Sequence, residues 1–330
     1  MLEIQQLNYS IGQFNLTIDK FTVKNKCIHT LLGNSGAGKS TLLNLIAGHL
    51  KPNSGNILLK GHSILNLKPN ERKIALVFQN SLLFPHMNVV ENIGYGLKVG
   101  KKDKNKMQTK INLWLKRMDL VGYDQRMPKE LSGGEKKRVA IARALITDPE
   151  LVLMDEPLNG LDPKLRNEML ELIKKIQRET SIAILYITHD FEEALKISDQ
   201  ISVIKEGQMI HTGTPKSLLF QPEDLSIIDF FSYYNKKNVF IKNRNFCLYK
   251  QKIVTDNDGY YYCILPPQGI IISTGDQGVI TKKHFLKYGN IYQIDNHEES
   301  FYAFSPEDFK VGDPVNYLIQ SEFIRFKKEL

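Results

Sequence analysis

Nine consecutive residues, Gly33, Asn34, Ser35, Gly36, Ala37, Gly38, Lys39, Ser40 and Thr41, combine three glycines with a lysine and a hydroxyl pair in the order of a phosphate-cradling loop. A triphosphate needs many converging N–H donors and little steric bulk. The glycines let the backbone wrap the phosphates, Lys39 can bridge the β and γ oxygens, and the Ser40 hydroxyl can ligate Mg²⁺. The apolar run from Cys27 to Leu32 reads as a strand and the stretch from Ser40 to Leu50 has helical spacing, which is the strand, loop, helix context that such a loop requires. A glycine-rich turn that binds nothing is the competing reading, and each partner residue found below weakens it.

A second group of residues fits the same chemistry. The apolar run from Leu151 to Met154 ends in adjacent carboxylates, Asp155 and Glu156. Asp155 can hold a Mg²⁺ shell, and Glu156 can orient or deprotonate an attacking water. Gln79 follows the strand-like run from Ile74 to Phe78, and His189 follows the run from Ile182 to Ile187. Both therefore fall at the carboxyl ends of candidate strands, the edge where open α/β sheets bind ligands. There Gln79 can sense the metal and the water, completing a metal set with Ser40 and Asp155, while His189 can contact the γ-phosphate. Taken singly, each of these is weak, because a lone histidine is more often a satisfied structural residue.

The elements that must position these groups are legible as hydrophobic patterns. Residues 1 to about 25 alternate like short antiparallel strands, as in Phe14 to Ile18 and Phe21 to Val23. The runs at Ile74 and Leu151 are continuously apolar, which suits a sheet covered on both faces. Between about Val89 and Ala144 the pattern is helical, with Ile111, Leu113, Leu115, Met118 and Leu120 as apolar positions, and predicts a helical lobe inserted into an α/β core. Beyond Asp155 the pattern predicts a helix over 163–180, a strand over 182–187, a helix over 191–197, a strand over 201–204 and a hairpin at Glu206-Gly207. Near Tyr234 the composition changes. From 235 to 330 only short strand-like runs remain, separated by turn signals at Asp258-Gly259, Pro266-Pro267, Gly275-Asp276 and Gly312-Asp313, so a small all-β, barrel-like domain is expected after a first domain over 1–234.

Length and composition agree with this division. A chain of 330 residues exceeds what one core usually organises. With 42% apolar and 24% charged residues there is ample material for cores. No run approaches the roughly 18–20 apolar residues of a membrane span, and Met1 to Ile4 lacks the basic start of a signal peptide. The expectation is a chain that stays in the cytoplasm and needs another subunit for any membrane role. Its formal charge of +8 is concentrated in clusters such as Lys101, Lys102, Lys104 and Lys106, which reads as a hydrated face rather than a nucleic-acid surface. Cys27, Cys247 and Cys263 have no metal-ligand spacing and read as buried free thiols.

The ordered set of the Gly33–Thr41 loop, Gln79, the stretch Leu131-Ser132-Gly133-Gly134-Glu135, the Asp155-Glu156 pair, the Asn159–Asp162 loop and His189 resembles an ATP-binding cassette over residues 1 to about 230. The resemblance implies an α/β P-loop NTPase fold with a parallel-sheet core, an antiparallel β subdomain and an inserted helical lobe, together with ATP and Mg²⁺ as ligands. It further implies a head-to-tail homodimer in which Ser132, Gly133 and Gly134 reach the ATP of the other protomer. Tyr9 is the first candidate to stack on adenine, with Phe14 second. Two departures stand out, Glu135 where glutamine is commonest and Asn159-Gly160 in place of a small pair. The stretch from Val77 to Ile93 and the β-rich extension resemble bacterial importers, with molybdate or sulfate as the leading solute and iron, polyamine or sugar as alternatives. Such a reading implies integral membrane permease subunits, an extracytoplasmic solute-binding protein and a peripheral place on the cytoplasmic face of the inner membrane. A soluble cassette ATPase acting on ribosomes or DNA is the remaining alternative. The basic run Lys136-Lys137-Arg138 is expected to face the opposite subunit or solvent.

Overall fold

Alternate residues of two central strands point into two different cores, and that division organises the first half of the molecule. The computed structural model describes residues 1–80, 82–99, 104–220, 228, 233–254, 258–286 and 289–328. Ser81 and the expected lysine cluster from Lys101 to Asp103 lie outside the described residues. The chain divides into two compact units, Met1–Pro215 and Lys216–Leu330, a boundary earlier than the change in composition near Tyr234.

In the first unit, strands β1 (Leu2–Ile11), β2 (Phe14–Val23), β3 (Ile28–Leu32), β4 (Ser54–Leu59), β5 (His62–Ser63), β6 (Ile74–Val77), β7 (Leu151–Asp155), β8 (Ala183–Thr188), β9 (Gln200–Lys205) and β10 (Gln208–Gly213) form one curled sheet in the order β5-β4-β1-β2-β10-β9-β3-β8-β7-β6. From β9 to β6 the pairing is parallel, whereas β1, β2, β4 and β5 pair antiparallel. Its helices are α1 (Lys39–Ala47), α2 (Val89–Val99), α3 (Lys104–Arg117), α4 (Gly133–Leu145), α5 (Pro163–Thr180) and α6 (Phe191–Ile197). Val152, Met154, Ile184 and Tyr186 pack with residues of α2 to α5, while Leu151, Leu153, Leu185 and Ile187 pack with α1 and the β1–β2–β4 layer. A strand buried on both faces must be apolar at every position, which is why β7 and β8 read as unbroken runs.

Three expectations about this unit need correction. The first strands are long, ten residues each, with a kink where Gln6 takes φ 47° and the β1–β4 register shifts. In α3, Leu113 is exposed and Trp114 is buried in its place, because the buried face runs through Ile111, Trp114, Leu115 and Met118 at three- and four-residue spacing. Strand β4, paired between β1 and β5 and too polar in its first half to register as a strand, was not anticipated.

The second unit begins with α7 (Pro215–Phe220), whose proline lies in the first unit, and is otherwise all β: β11 (Asn235–Ile241), β12 (Asn245–Leu248), β13 (Gln251–Val254), β14 (Gly259–Leu265), β15 (Ile270–Leu286), β16 (Gly289–Asp295), β17 (Ser300–Ser305), β18 (Pro314–Ile319) and β19 (Arg325–Lys328). Its sheets are β11-β14-β19, β12-β13 and β17-β16-β15-β18, arranged around one core that includes Ile241, Leu265, Ile280, Ile294 and Phe301. Among the described residues the hydrogen-bond ladders do not close into a single barrel. Gly275-Asp276, expected as a turn between strands, instead lies within the 17-residue β15, where the register against β18 shifts between Thr274 and Gly278. At the Asn243-Arg244 turn the Asp258 carboxylate accepts from the N–H groups of Asn243 (3.1 Å) and Arg244 (2.6 Å). Cys27 and Cys263 are buried, but Cys247 is exposed on its two-stranded hairpin.

His29, in the middle of β3, is fully buried and shares a 2.8 Å hydrogen bond between its Nε2 and the Ser202 hydroxyl. Burial pushes its imidazole down to about 4, below the ordinary value of 6.5. The unfolded chain therefore binds a proton that the native state resists, so this group's contribution is complete above about pH 6.5 and declines as the pH falls toward 4. We predict that unfolding free energy measured by urea titration falls over that window in the wild type and falls less steeply in His29→Gln.

Candidate nucleotide site

The groups singled out in the sequence converge at the carboxyl ends of β3, β6, β7 and β8, four strands of the parallel half of the sheet. After β3 the chain turns through the glycine-rich loop into α1. Gly38 takes φ +106°, and a methyl group there would lie 2.9 Å from Phe14 Cζ, so a side chain is excluded on two counts. Lys39 is buried and donates to the carbonyls of Gly33 (2.7 Å) and Asn34 (2.9 Å). Its ammonium is held below its usual pKa by burial, with the charges of Glu156 and Asp155 opposing that effect. Gly33 and Ala37 are buried, Asn34, Ser35, Gly36 and Ser40 are exposed, and Thr41 is half-buried. The loop is closed internally by the Ala37 N–H to the Asn34 carbonyl at 3.2 Å.

A cavity of about 310 Å³ opens beside this loop, lined by Ile11, Phe14, Gly36, Gly38, Lys39, Ser40 and Thr41. Tyr9 is absent from its lining and packs partly buried against the β1–β2–β4 core. Phe14, at the start of β2, is the one of the two adenine candidates that lines this cavity. Tyr9 was the first candidate by its place in the first strand upstream of Lys39; the short turn between β1 and β2 carries Ile11 and Phe14 to the loop.

Across from the loop, Ser40 Oγ lies 3.4 Å from Asp155 Oδ2. Burial raises the Asp155 pKa, as does the neighbouring Glu156 charge, while Ser40 and Lys39 pull it down. A desolvated carboxylate beside a hydroxyl is a suitable pair for a divalent cation that also takes oxygens from a phosphate. Among the described residues no cluster of three His, Cys, Asp or Glu side chains could hold a metal unaided. Glu156, the next residue, has φ 41°, a left-handed conformation that is unusual for a non-glycine residue. Its N–H donates to the Ile187 carbonyl at 3.0 Å. Its carboxylate meets His189 Nδ1 at 2.9 Å through Oε1 and accepts from the Asn159 amide at 3.3 Å through Oε2. Asn159, which departs from the common pattern of its loop, thus helps to orient this carboxylate. Gln79 is exposed just past β6, and among the described contacts its main-chain carbonyl is engaged, accepting from Lys137 Nζ at 3.3 Å.

Below His189 lies a charged network that was not legible in the sequence. Tyr186 and Thr188 hydroxyls donate to Glu193 Oε2 at 2.9 and 3.1 Å. Arg166 of α5 faces Asp190 at 3.1 Å and Glu193 at 3.4 Å, and also donates to the Leu161 carbonyl at 3.2 Å. This ties the Asn159–Asp162 loop to the turn carrying His189. A further feature is the start of α4. The Ser132 hydroxyl accepts from the Glu135 N–H at 3.3 Å and Glu135 Oε2 accepts from the Ser132 N–H at 2.7 Å, a reciprocal cap in which the carboxylate serves as acceptor. Gly133 has open surroundings, whereas a methyl on Gly134 would lie 2.7 Å from a Leu165 methyl carbon. Neither the loop cavity nor the cleft around Glu156 and His189 is lined by Ser132, Gly133 or Gly134.

The family pattern described as ABC transporter matches residues 16–159. The chain is 41% identical to the spermidine/putrescine import ATP-binding protein PotA of Borrelia garinii subsp. bavariensis over 266 residues, covering 79% of this chain and 74% of that one. The chain belongs to the ATP-binding subunits of ABC transporters. As an ABC ATPase it shares a nucleotide chemistry that uses ATP with Mg²⁺. The PotA of Acetivibrio thermocellus is 46% identical over 221 residues, 67% of this chain and 62% of the relative's length, and that of Borreliella afzelii is 44% identical over 239 residues, 71% and 69% respectively. Among solved structures, cbiO1 of Clostridium perfringens, described as part of the ABC transporter complex cbiONQ, superposes with a TM-score of 0.63 at 31% identity, covering 70% of this chain and 95% of that one. The cassette fold and the all-β second unit agree with the expectation. The resemblance to oxyanion importers does not hold, since these relatives carry polyamine names.

Substitution of each ring distinguishes the two adenine candidates. Phe14→Ala is predicted to weaken ATP binding about five- to tenfold in isothermal titration, the scale of one lost aromatic stacking contact of about 1–1.5 kcal/mol. Tyr9→Ala is predicted to leave the affinity within about twofold.

Proposed function

We propose that this ABC ATPase is the ATP-hydrolysing subunit of an importer that takes up a polyamine such as spermidine or putrescine. The observation that carries the solute class is the agreement of the three PotA relatives, at 41–46% identity. No helix among the described residues is long and apolar enough to cross a membrane, which supports a permease formed by other subunits and a peripheral place for this chain on the cytoplasmic face. An extracytoplasmic binding protein would deliver the solute.

In this reading, Ser35 to Thr41 present the loop N–H groups to the phosphates, and Lys39 turns from its loop carbonyls toward the β and γ oxygens. Ser40 and Asp155, with Gln79, would hold Mg²⁺, which supplies neutralising charge on the phosphate oxygens when bound. Glu156 orients the attacking water and accepts its proton. His189 acts on Glu156 by fixing the carboxylate, and its other ring nitrogen is free to address the γ-phosphate; the Arg166 network holds the turn on which it sits. The trans reading rests on the position of Ser132 and Gly133, outside both cavities of their own chain: two such chains paired head to tail would each complete the other's site. Closing and opening of that pair would drive the permease. The second unit is assigned an accessory role, with regulation of the cassette as the function to test.

Cells lacking the chain are expected to lose uptake of radiolabelled spermidine or putrescine and to regain it with the wild type. Glu156→Gln is predicted to lower kcat by 10²-fold or more with nucleotide affinity retained, and Lys39→Ala to weaken binding itself. Restored molybdate uptake with unchanged polyamine uptake would overturn the solute class; normal turnover by Glu156→Gln would overturn the general base.

A further inference from the structure

The basic run Lys136-Lys137-Arg138 on α4, expected to face outward, divides in the structure. Arg138 turns to the Met118 carbonyl (3.1 Å) and the Asp119 carboxylate (3.3 Å). Lys137 is 8% exposed and directs its ammonium inward. Lys137 Nζ donates to the Pro157 carbonyl at 2.6 Å and to the Gln79 carbonyl at 3.3 Å. Pro157 immediately follows Glu156, and Gln79 lies two residues past the end of β6. One side chain therefore binds the ends of two neighbouring parallel strands to the helix that begins at Ser132.

The arrangement follows from elementary constraints. Where β6 and β7 stop pairing, their carbonyls lose ladder partners and need other donors. An ammonium offers three donors at the end of a flexible stem and can serve two diverging acceptors at once. Lys137 also lies three residues from the buried Gly134 and four from the buried Ile141, so it belongs to the inward stripe of α4, at one of the few polar positions there. Its partners here are main-chain carbonyls, so these bonds fix where the loops lie without neutralising either catalytic carboxylate.

We propose that Lys137 is a positioning residue that couples the start of α4 to the loops bearing Gln79 and Glu156, so that movement of α4 is felt at the hydrolysis site but not at the phosphate loop. This rests on the roles given above to Glu156 and Gln79.

The test uses the full chain with Lys137→Met, which keeps the stem and removes the donors. In hydrogen exchange by mass spectrometry without nucleotide, peptides spanning 78–84 and 156–160 are expected to exchange faster, while those of β3 and α1 are unchanged. In steady-state ATPase assays kcat is expected to fall about ten- to hundredfold, the scale of a catalytic group displaced by about an ångström, with ATP affinity within about twofold of wild type. Lys137→Gln, which retains one short donor, should recover part of the loss, and it carries the same measurements if the methionine variant does not fold. Unchanged exchange in both loops, or a fall in kcat matched by equal loss of nucleotide affinity and faster exchange throughout the first unit, would overturn the proposal. Glu156→Gln in parallel separates the two claims, because normal turnover there refutes the role of Glu156 while the exchange result still reports on Lys137.

Discussion

Everything at this site depends on two adjacent carboxylates at the end of one buried strand facing different partners. Successive residues of a strand point to opposite faces, so a regular continuation of β7 would send Asp155 and Glu156 apart along the strand's pleat. Glu156 instead takes a left-handed φ of 41° and is pinned by its N–H to the Ile187 carbonyl. Asp155 meets Ser40, and Glu156 meets His189 and Asn159. Backbone strain of this kind costs of order 1–3 kcal/mol and persists only where surrounding structure over-determines it. Here the surroundings are the parallel pairing with β8 and the contacts from Asn159 and His189.

The sheet that holds this strand end was legible because its physics is simple. Burial on both faces favours an uninterrupted apolar run, and β7 before Asp155 and β8 before Thr188 supply one, while β3 is buried throughout but carries His29 and Thr30. The phosphate loop was equally clear, since few residue types can wrap a triphosphate. Less visible were features set by direction in space. Phe14 reaches the loop and Tyr9 does not because a short turn, rather than order along the chain, decides which ring lies there. Leu113 and Trp114 exchanged burial for a similar reason: a shift of one position on a helix turns a side chain by about 100°. Lys137 was hidden by its charged neighbours, although its spacing from Gly134 and Ile141 was a signal that it faces inward.

The second unit was readable as β but not as a topology. Most of its strands are short and partly exposed, and in the 17-residue β15 a glycine marks a register shift where it resembled a turn. The solute was not legible at all, because no residue of the ATP machinery touches it. Relatives supplied that inference.

The arrangement of α4 connects the local chemistry to assembly. Ser132 and Glu135 cap each other, and Gly133 remains open, so the helix start is preorganised while lying outside both cavities of its own chain. In this account the site is finished by a second copy of the chain, with ATP as the bridge. The most direct measurement is sedimentation velocity of Glu156→Gln with and without saturating ATP and Mg²⁺. The account predicts the 37.9 kDa chain alone and a species of about twice that mass with ATP, lost again when Ser132 is also replaced by a bulky residue. A Glu156→Gln protein that binds ATP fully and remains at the mass of one chain would contradict it.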